Sequence, residues 1–212
     1  MAEDRRGNAG TRTLSLTEGL VLCLVRERPT YGLVLAGLLA PDGSLGRIWS
    51  VPKAMVYYAL QQLELIHLIR MSKEQRTSRG PARSIYKITA RGQLAAQTWL
   101  GQPVGHVRDV RSELMVKLAL NDRAGVDSRP LVRAQLAELG PVASALADRL
   151  GAATGFEHTL VLWRHEAMTA TMQFLTLLAE GEGARSASPG RLAGASRGTP
   201  GPAGPRRSDR ES

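Results

Sequence analysis

Residues 50–70 read SVPKAMVYYALQQLELIHLIR, and their apolar and polar positions separate into two stripes. Val56, Leu60 and Leu63, with Ala59 beside them, recur at three- and four-residue steps, which puts them on one side of a 3.6-residue helix. Lys53, Tyr57 and Gln61 recur every four residues on a second stripe, flanked by Ala54 and Tyr58, where they can touch something polar. Pro52 suits a first helical turn, and the helix is predicted to end near Ile66. Beyond it, residues 68–73 read as a strand, EQRTSRGPA as a polar turn and residues 83–89 as a second strand, in which Arg, Ile and Lys alternate with Ser, Tyr and Ile. A helix feeding a basic hairpin is the layout of a winged helix; the rival reading is an α+β fragment whose Tyr and Gln face water.

Upstream, Ser15 and Glu18 form a capping box, and Leu16, Leu20, Val21 and Leu24 give the first helix its buried face before Pro29 ends it. Thr30 is predicted to cap a second helix over residues 31–40, stopped by Pro41-Asp42-Gly43. Gly32 and Gly37 would each cost such a helix about 1 kcal/mol relative to Ala, so both are expected to permit close packing. Residues 45–49 form a short predicted strand. The order helix, helix, short strand, helix, hairpin is that of a winged helix-turn-helix.

Downstream, a helix starting at Thr89 and running to Leu100 should bury Leu94 and Trp99. A helix over residues 110–120 carries Leu114 and Leu118, with Glu113 and Lys117 as an i,i+4 pair of the kind that adds about 0.2–0.5 kcal/mol. After a polar break, residues 130–150 are helical in pattern, and Gly140-Pro141 predicts a kink or a separate helix there. Phe156, Leu160, Trp163, Ala167, Ala170, Phe174 and Leu177 then make an a/d seam. Such a seam takes a partner helix, from a second copy or from the same chain. From Gly181 onward the chain is Gly-, Pro-, Ser-, Ala- and Arg-rich and cannot bury enough surface to fold.

Charge narrows the choice of partner. The chain has 212 residues, 43% of them hydrophobic, and a formal charge of +9 supplied mostly by arginine, which favours an anionic partner. Nucleic acid and a membrane surface compete for that role, and arginine abundance can also follow from codon bias. The single cysteine, Cys23, suits a reducing compartment. Neither a signal peptide nor a run of roughly 20 apolar residues is present, so a soluble, cytoplasmic protein without a membrane role is expected.

The run from Leu16 to about Leu120 resembles the PadR family of bacterial transcriptional regulators. The residues that carry the likeness are LTEGLVLCLVRERPTYGLVLAGLL, VPKAMVYYALQQLELIHLI, YKITARGQ and DVRSELMVKLAL. One position departs: where the family places a glycine before the Leu-Ile that opens the wing, this chain has His67. Either histidine adopts the left-handed cap or another turn replaces it. The resemblance implies a mainly α fold with a small β-wing, in which a winged helix-turn-helix DNA-binding domain (14–102) precedes a helical dimerisation domain (103–180); composition marks a flexible arm (1–13) and a disordered tail (181–212). It also implies a homodimer, and a small aromatic or planar effector as signal.

On double-stranded DNA, cations neutralise phosphates while other groups read base edges. Lys53, Ala54, Tyr57, Tyr58 and Gln61 are the candidates on the helix, glutamine being able to pair twice with adenine, and Arg79 and Arg83 are those of the wing. Dimerisation is assigned to the seam, with Leu114 and Leu118 as the alternative surface. No cofactor, metal or enzymatic activity is expected: the histidines His67, His106, His158 and His165 are scattered, and neither a G-x-S-x-G nor a G-x-x-x-x-G-K motif occurs. The reading is of a sequence-specific repressor; the competing one is a helical interaction protein whose winged domain binds another protein.

Overall fold

The computed structural model describes residues 12–75 and 83–181. Its first helix, α1 (Leu16–Glu27), begins with the capping box: the Glu18 amide donates to the Ser15 hydroxyl at 3.3 Å and the Ser15 amide donates to the Glu18 carboxylate at 2.9 Å. One buried face was expected of this helix, yet every residue from Glu18 to Val25 is buried while Leu16 is only partly so. The helix is covered from several sides, by α3 (Lys53–Leu65), α4 (Ala90–Gly101) and α6 (Met115–Arg123).

Thr30 does not cap a helix. With Tyr31 it forms β1 (Thr30–Tyr31), which pairs antiparallel with β3 (Arg83–Ile88), and α2 is shortened to Gly32–Leu38 with no side-chain cap. The third strand of the fold is therefore here and not at residues 45–49. In that segment the Leu45 and Gly46 amides donate to the Leu38 carbonyl, and the Ile48 and Trp49 amides to that of Leu45, curling the chain onto the end of α2. The sheet has the order β1-β3-β2, with β2 at Ile69–Gln75.

Thr89 caps α4, accepting from the Gly92 amide at 3.0 Å while its hydroxyl reaches the carbonyls of His67 and Leu68. Gly92 is required there, because a Cβ would lie 2.0 Å from the Leu68 carbonyl oxygen. Of the two residues assigned to the core, Trp99 is buried, but Leu94 is 67% exposed: Gly92, Ala96 and Trp99 make the inner stripe and Leu94 falls outside it.

A short α5 (Val107–Asp109) passes through a π-helical stretch, Val110–Leu114, into α6. Two apolar cores meet on this segment: Val116 and Leu120 join the first, with α1 and α3, whereas Leu114 joins the second, with Leu131, Leu139, Met168 and Leu175. Two long helices complete the chain, α7 (Arg129–Ala152) and α8 (Gly155–Glu180), packed along each other. Pro141 does not divide α7 into separate helices. Leu131 and Leu139 before it and Leu146 after it all pack in the second core, which outweighs one lost backbone hydrogen bond. The whole is mainly helical with a small three-stranded antiparallel sheet, as expected of a winged helix-turn-helix followed by a helical region.

Candidate nucleic-acid interface

Val56, Ala59, Leu60 and Leu63 are buried against α1 and α2, and this anchors α3 with its other stripe outward. Lys53, Ala54, Tyr57, Tyr58 and Gln61 are all exposed. The two tyrosines differ: Tyr58 is 53% exposed and Tyr57 38%. The ring of Tyr57 lies across the start of α2, where a Cβ on Gly32 would come within 2.7 Å of it. Gly32 thus gives the close packing expected of it. Gly37 does not, since a Cβ there would meet nothing within 4 Å.

The exit of α3 fixes where the wing stands. His67 adopts φ 58°, the only non-glycine with positive φ among the described residues. Its amide donates to the Glu64 carbonyl and that of Leu68 to the Leu63 carbonyl, both at 2.9 Å, the paired bonds of a left-handed helix end that usually belongs to glycine. Histidine therefore takes the cap itself. The Glu64 carboxylate then accepts from the Met71 amide at 3.1 Å, next to a bulge between Met71 and Lys73. Tyr86 of β3 sits close by, and burial, together with the Glu64 carboxylate and Tyr57, pushes its phenol above its usual pKa.

Arg79 lies outside the described residues; Arg83 begins β3, opposite Gln75. Closer to α3, two cations that the sequence reading passed over stand directly opposite each other, Arg70 on β2 and Lys87 on β3, both exposed. Like charges in register repel, and a phosphate between them would relieve the repulsion. The alternation of the strands carries the signal for both.

Behind this face the winged domain is fastened to the later helices. Lys117 was read as half of an ordinary helix-surface pair, but it is 1% exposed. Its ammonium meets Glu113 at 2.7 Å, donates to the Gln102 carbonyl at 2.8 Å and stands 4.7 Å from the centre of the Trp99 ring. Gln135, wholly buried, holds the backbone of Val104 through both its amide oxygen and nitrogen, at 2.7 and 2.8 Å. Arg123 pairs with Glu27 at the foot of α1, and that contact raises the guanidinium pKa. Cys23 is buried in the first core, and burial pushes its thiol up to about 12, so it is no nucleophile.

Of the residues assigned to dimerisation, Leu114 is wholly buried within the chain and Leu118 packs at the edge of the second core. The seam lies elsewhere. Phe156, Trp163, Phe174 and Leu177 are 81, 71, 37 and 42% exposed, Ala170 is exposed, and Leu160 and Ala167 are half-buried. It borders a groove of about 1090 Å³ whose other walls include Val110, Met115, Val142 and Leu146. No cluster of three metal-ligating side chains occurs among the described residues, and no helix among them is long and apolar enough to cross a membrane.

A helix whose inner face is packed on two others, whose outer face is polar and aromatic, and whose exit leads directly into a two-stranded wing defines a winged helix-turn-helix. Residues 21–98 match the Transcriptional regulator PadR-like family. No curated protein matches the chain. Among solved structures the chain is similar to Bacillus subtilis PadR in complex with operator DNA, at 19% identity over 78% of this chain and 98% of that one, with a TM-score of 0.41. It is similar also to Bacillus subtilis PadR in complex with p-coumaric acid (21% identity, 78% and 98% covered, TM-score 0.36). A PadR-like transcriptional regulator from Bacillus cereus is matched at 16% identity over 80% and 99% of the two chains, with a TM-score of 0.36.

Proposed function

We propose that this chain is a cytoplasmic regulator that binds double-stranded DNA as a homodimer, represses by occupying its operator and lets go when a small aromatic or planar effector shifts the spacing of its two α3 helices. One observation carries the reading: α3 buries Val56, Ala59, Leu60 and Leu63 and holds Lys53, Tyr57, Tyr58 and Gln61 outward on a single face. Such a face offers a cation and hydroxyls to phosphates and an amide to a base edge. Arg70 and Lys87 at the base of the wing extend it with positive charge. Residues 14–102 take the DNA-binding role in this scheme and residues 103–180 the dimeric one, with two half-sites about one helical turn apart.

The test is binding of the whole protein to a generic duplex as salt is raised. Affinity should fall linearly in a log–log plot, by about 0.9 in slope for each phosphate neutralised, and fragments recovered with the protein should share a two-fold sequence. No salt-dependent binding to any duplex would instead make the winged domain a protein-binding module.

A further inference from the structure

Glu64 is the single acidic residue of α3, and it continues the outward stripe: Lys53, Tyr57, Gln61 and Glu64 follow one another at steps of 4, 4 and 3. A carboxylate on a face that meets phosphates repels them, so its place there calls for another use. No ion pair takes it up among the described residues, although Arg70 lines the same hollow. Its partner is a backbone group instead. The carboxylate accepts from the Met71 amide at 3.1 Å, and the Glu64 carbonyl accepts from the His67 amide at 2.9 Å. The end of α3, the left-handed turn and the first strand of the wing therefore all meet on this residue.

In the order β1-β3-β2 the strand β2 lies at the edge, and an edge leaves amides without a strand to donate to. The register slips just beyond the bond, between Met71 and Lys73, and a bulge of this kind bends a strand and sharpens its twist. The direction in which the wing leaves α3 is thus set where Glu64 holds it. Arg70, the residue before Met71, and Lys87 opposite it are placed by the same bond relative to Tyr57 and Gln61.

We propose that Glu64 is a positioning residue for duplex binding: it touches no DNA itself, and its carboxylate holds β2 so that Arg70 and Lys87 reach the phosphate backbone while the outer face of α3 lies against the bases. This rests on the DNA-binding reading above and adds the device that joins its two contact surfaces. The bond needs only an acceptor oxygen; the charge works against the phosphates.

Glu64→Gln and Glu64→Ala in the full-length protein separate the acceptor from the charge, since glutamine keeps an oxygen for the Met71 amide and alanine does not. Hydrogen exchange at the Met71 amide should quicken in Glu64→Ala and keep its wild-type rate in Glu64→Gln. Against one duplex over a range of salt, Glu64→Ala should lose about 0.9 to 1.8 in the slope of log affinity on log salt, the worth of one or two phosphate contacts. Glu64→Gln should keep the wild-type slope and bind at least as tightly. Equal gains in affinity for both variants overturn the proposal, because the carboxylate would then act only by repulsion. A lowered melting temperature for Glu64→Ala with the wild-type slope reduces the bond to a contact for stability and overturns it as well. Wild type that binds no duplex removes the DNA-binding reading and this role with it, whereas wild type that binds, with both variants unchanged, removes this role alone.

Discussion

Tyr57 shows how one residue serves two links of the chain. Its ring rests where Gly32 leaves room, so the phenol is presented from a supported position and not from a free side chain. Tyr57→Phe keeps that packing and removes one hydroxyl. Duplex affinity should fall by about 1 kcal/mol, the worth of one hydrogen bond, with the melting temperature unchanged. Equal affinities in a titration against the same duplex would take Tyr57 off the contact face. His67 carries the opposite kind of constraint, a left-handed conformation that costs a non-glycine residue about 1–2 kcal/mol, retained because the turn's two backbone bonds and the wing behind it leave no other path.

At the level of elements, the join between α4 and α6 depends on one buried lysine. Lys117 is enclosed by Trp99, the Gln102 carbonyl and Glu113, while the Glu113 side chain retains 27% exposure. The two partners should therefore respond unequally to mutation. Glu113→Ala strands an ammonium in the interior and should cost about 3 kcal/mol; Lys117→Met removes the charge, keeps most of the volume and should cost about 1 kcal/mol. Urea midpoints measure both, and a larger loss for Lys117→Met would show that the pair contributes through its charge and not through filling the space. The π-helical stretch Val110–Leu114 lies one turn before this lysine and also lines the groove, so the groove and the winged domain border a single continuous segment.

For the whole molecule, the exposure of the seam sharpens what its removal should do. A Trp or Phe cut back to Ala in a packed core costs about 3–5 kcal/mol, but Trp163 and Phe174 are not in this chain's own core. In the proposed homodimer, Trp163→Ala with Phe174→Ala should leave each copy folded by circular dichroism and separate the copies. Operator affinity should then drop by at least about 100-fold while weak salt-dependent binding persists, because a single winged domain reads too few base pairs to select one site. A folded dimer with undiminished operator affinity would move the two-fold contact off α8.

Signals confined to neighbouring residues were legible in the sequence. Ser15 with Glu18, Pro29, Thr89 as the start of a helix and the two stripes of α3 all act within one or two helical turns, so their chemistry is written in spacing alone. What the sequence could not show depends on residues brought together from far along the chain. Thr30 and Tyr31 became a strand because the edge of β3 lay open to them, and Leu94 turned outward because Trp99 and Ala96 already met α1. Periodicity marked only the Phe156–Leu177 seam as the face of α8 that takes a partner helix; the fold buried Val161, Met168 and Leu175 instead and left Trp163 exposed. Lys117 is the sharpest instance. An i,i+4 pair looks the same on a surface as in an interior, and only the closing of Trp99 and Gln102 over it decided which it was.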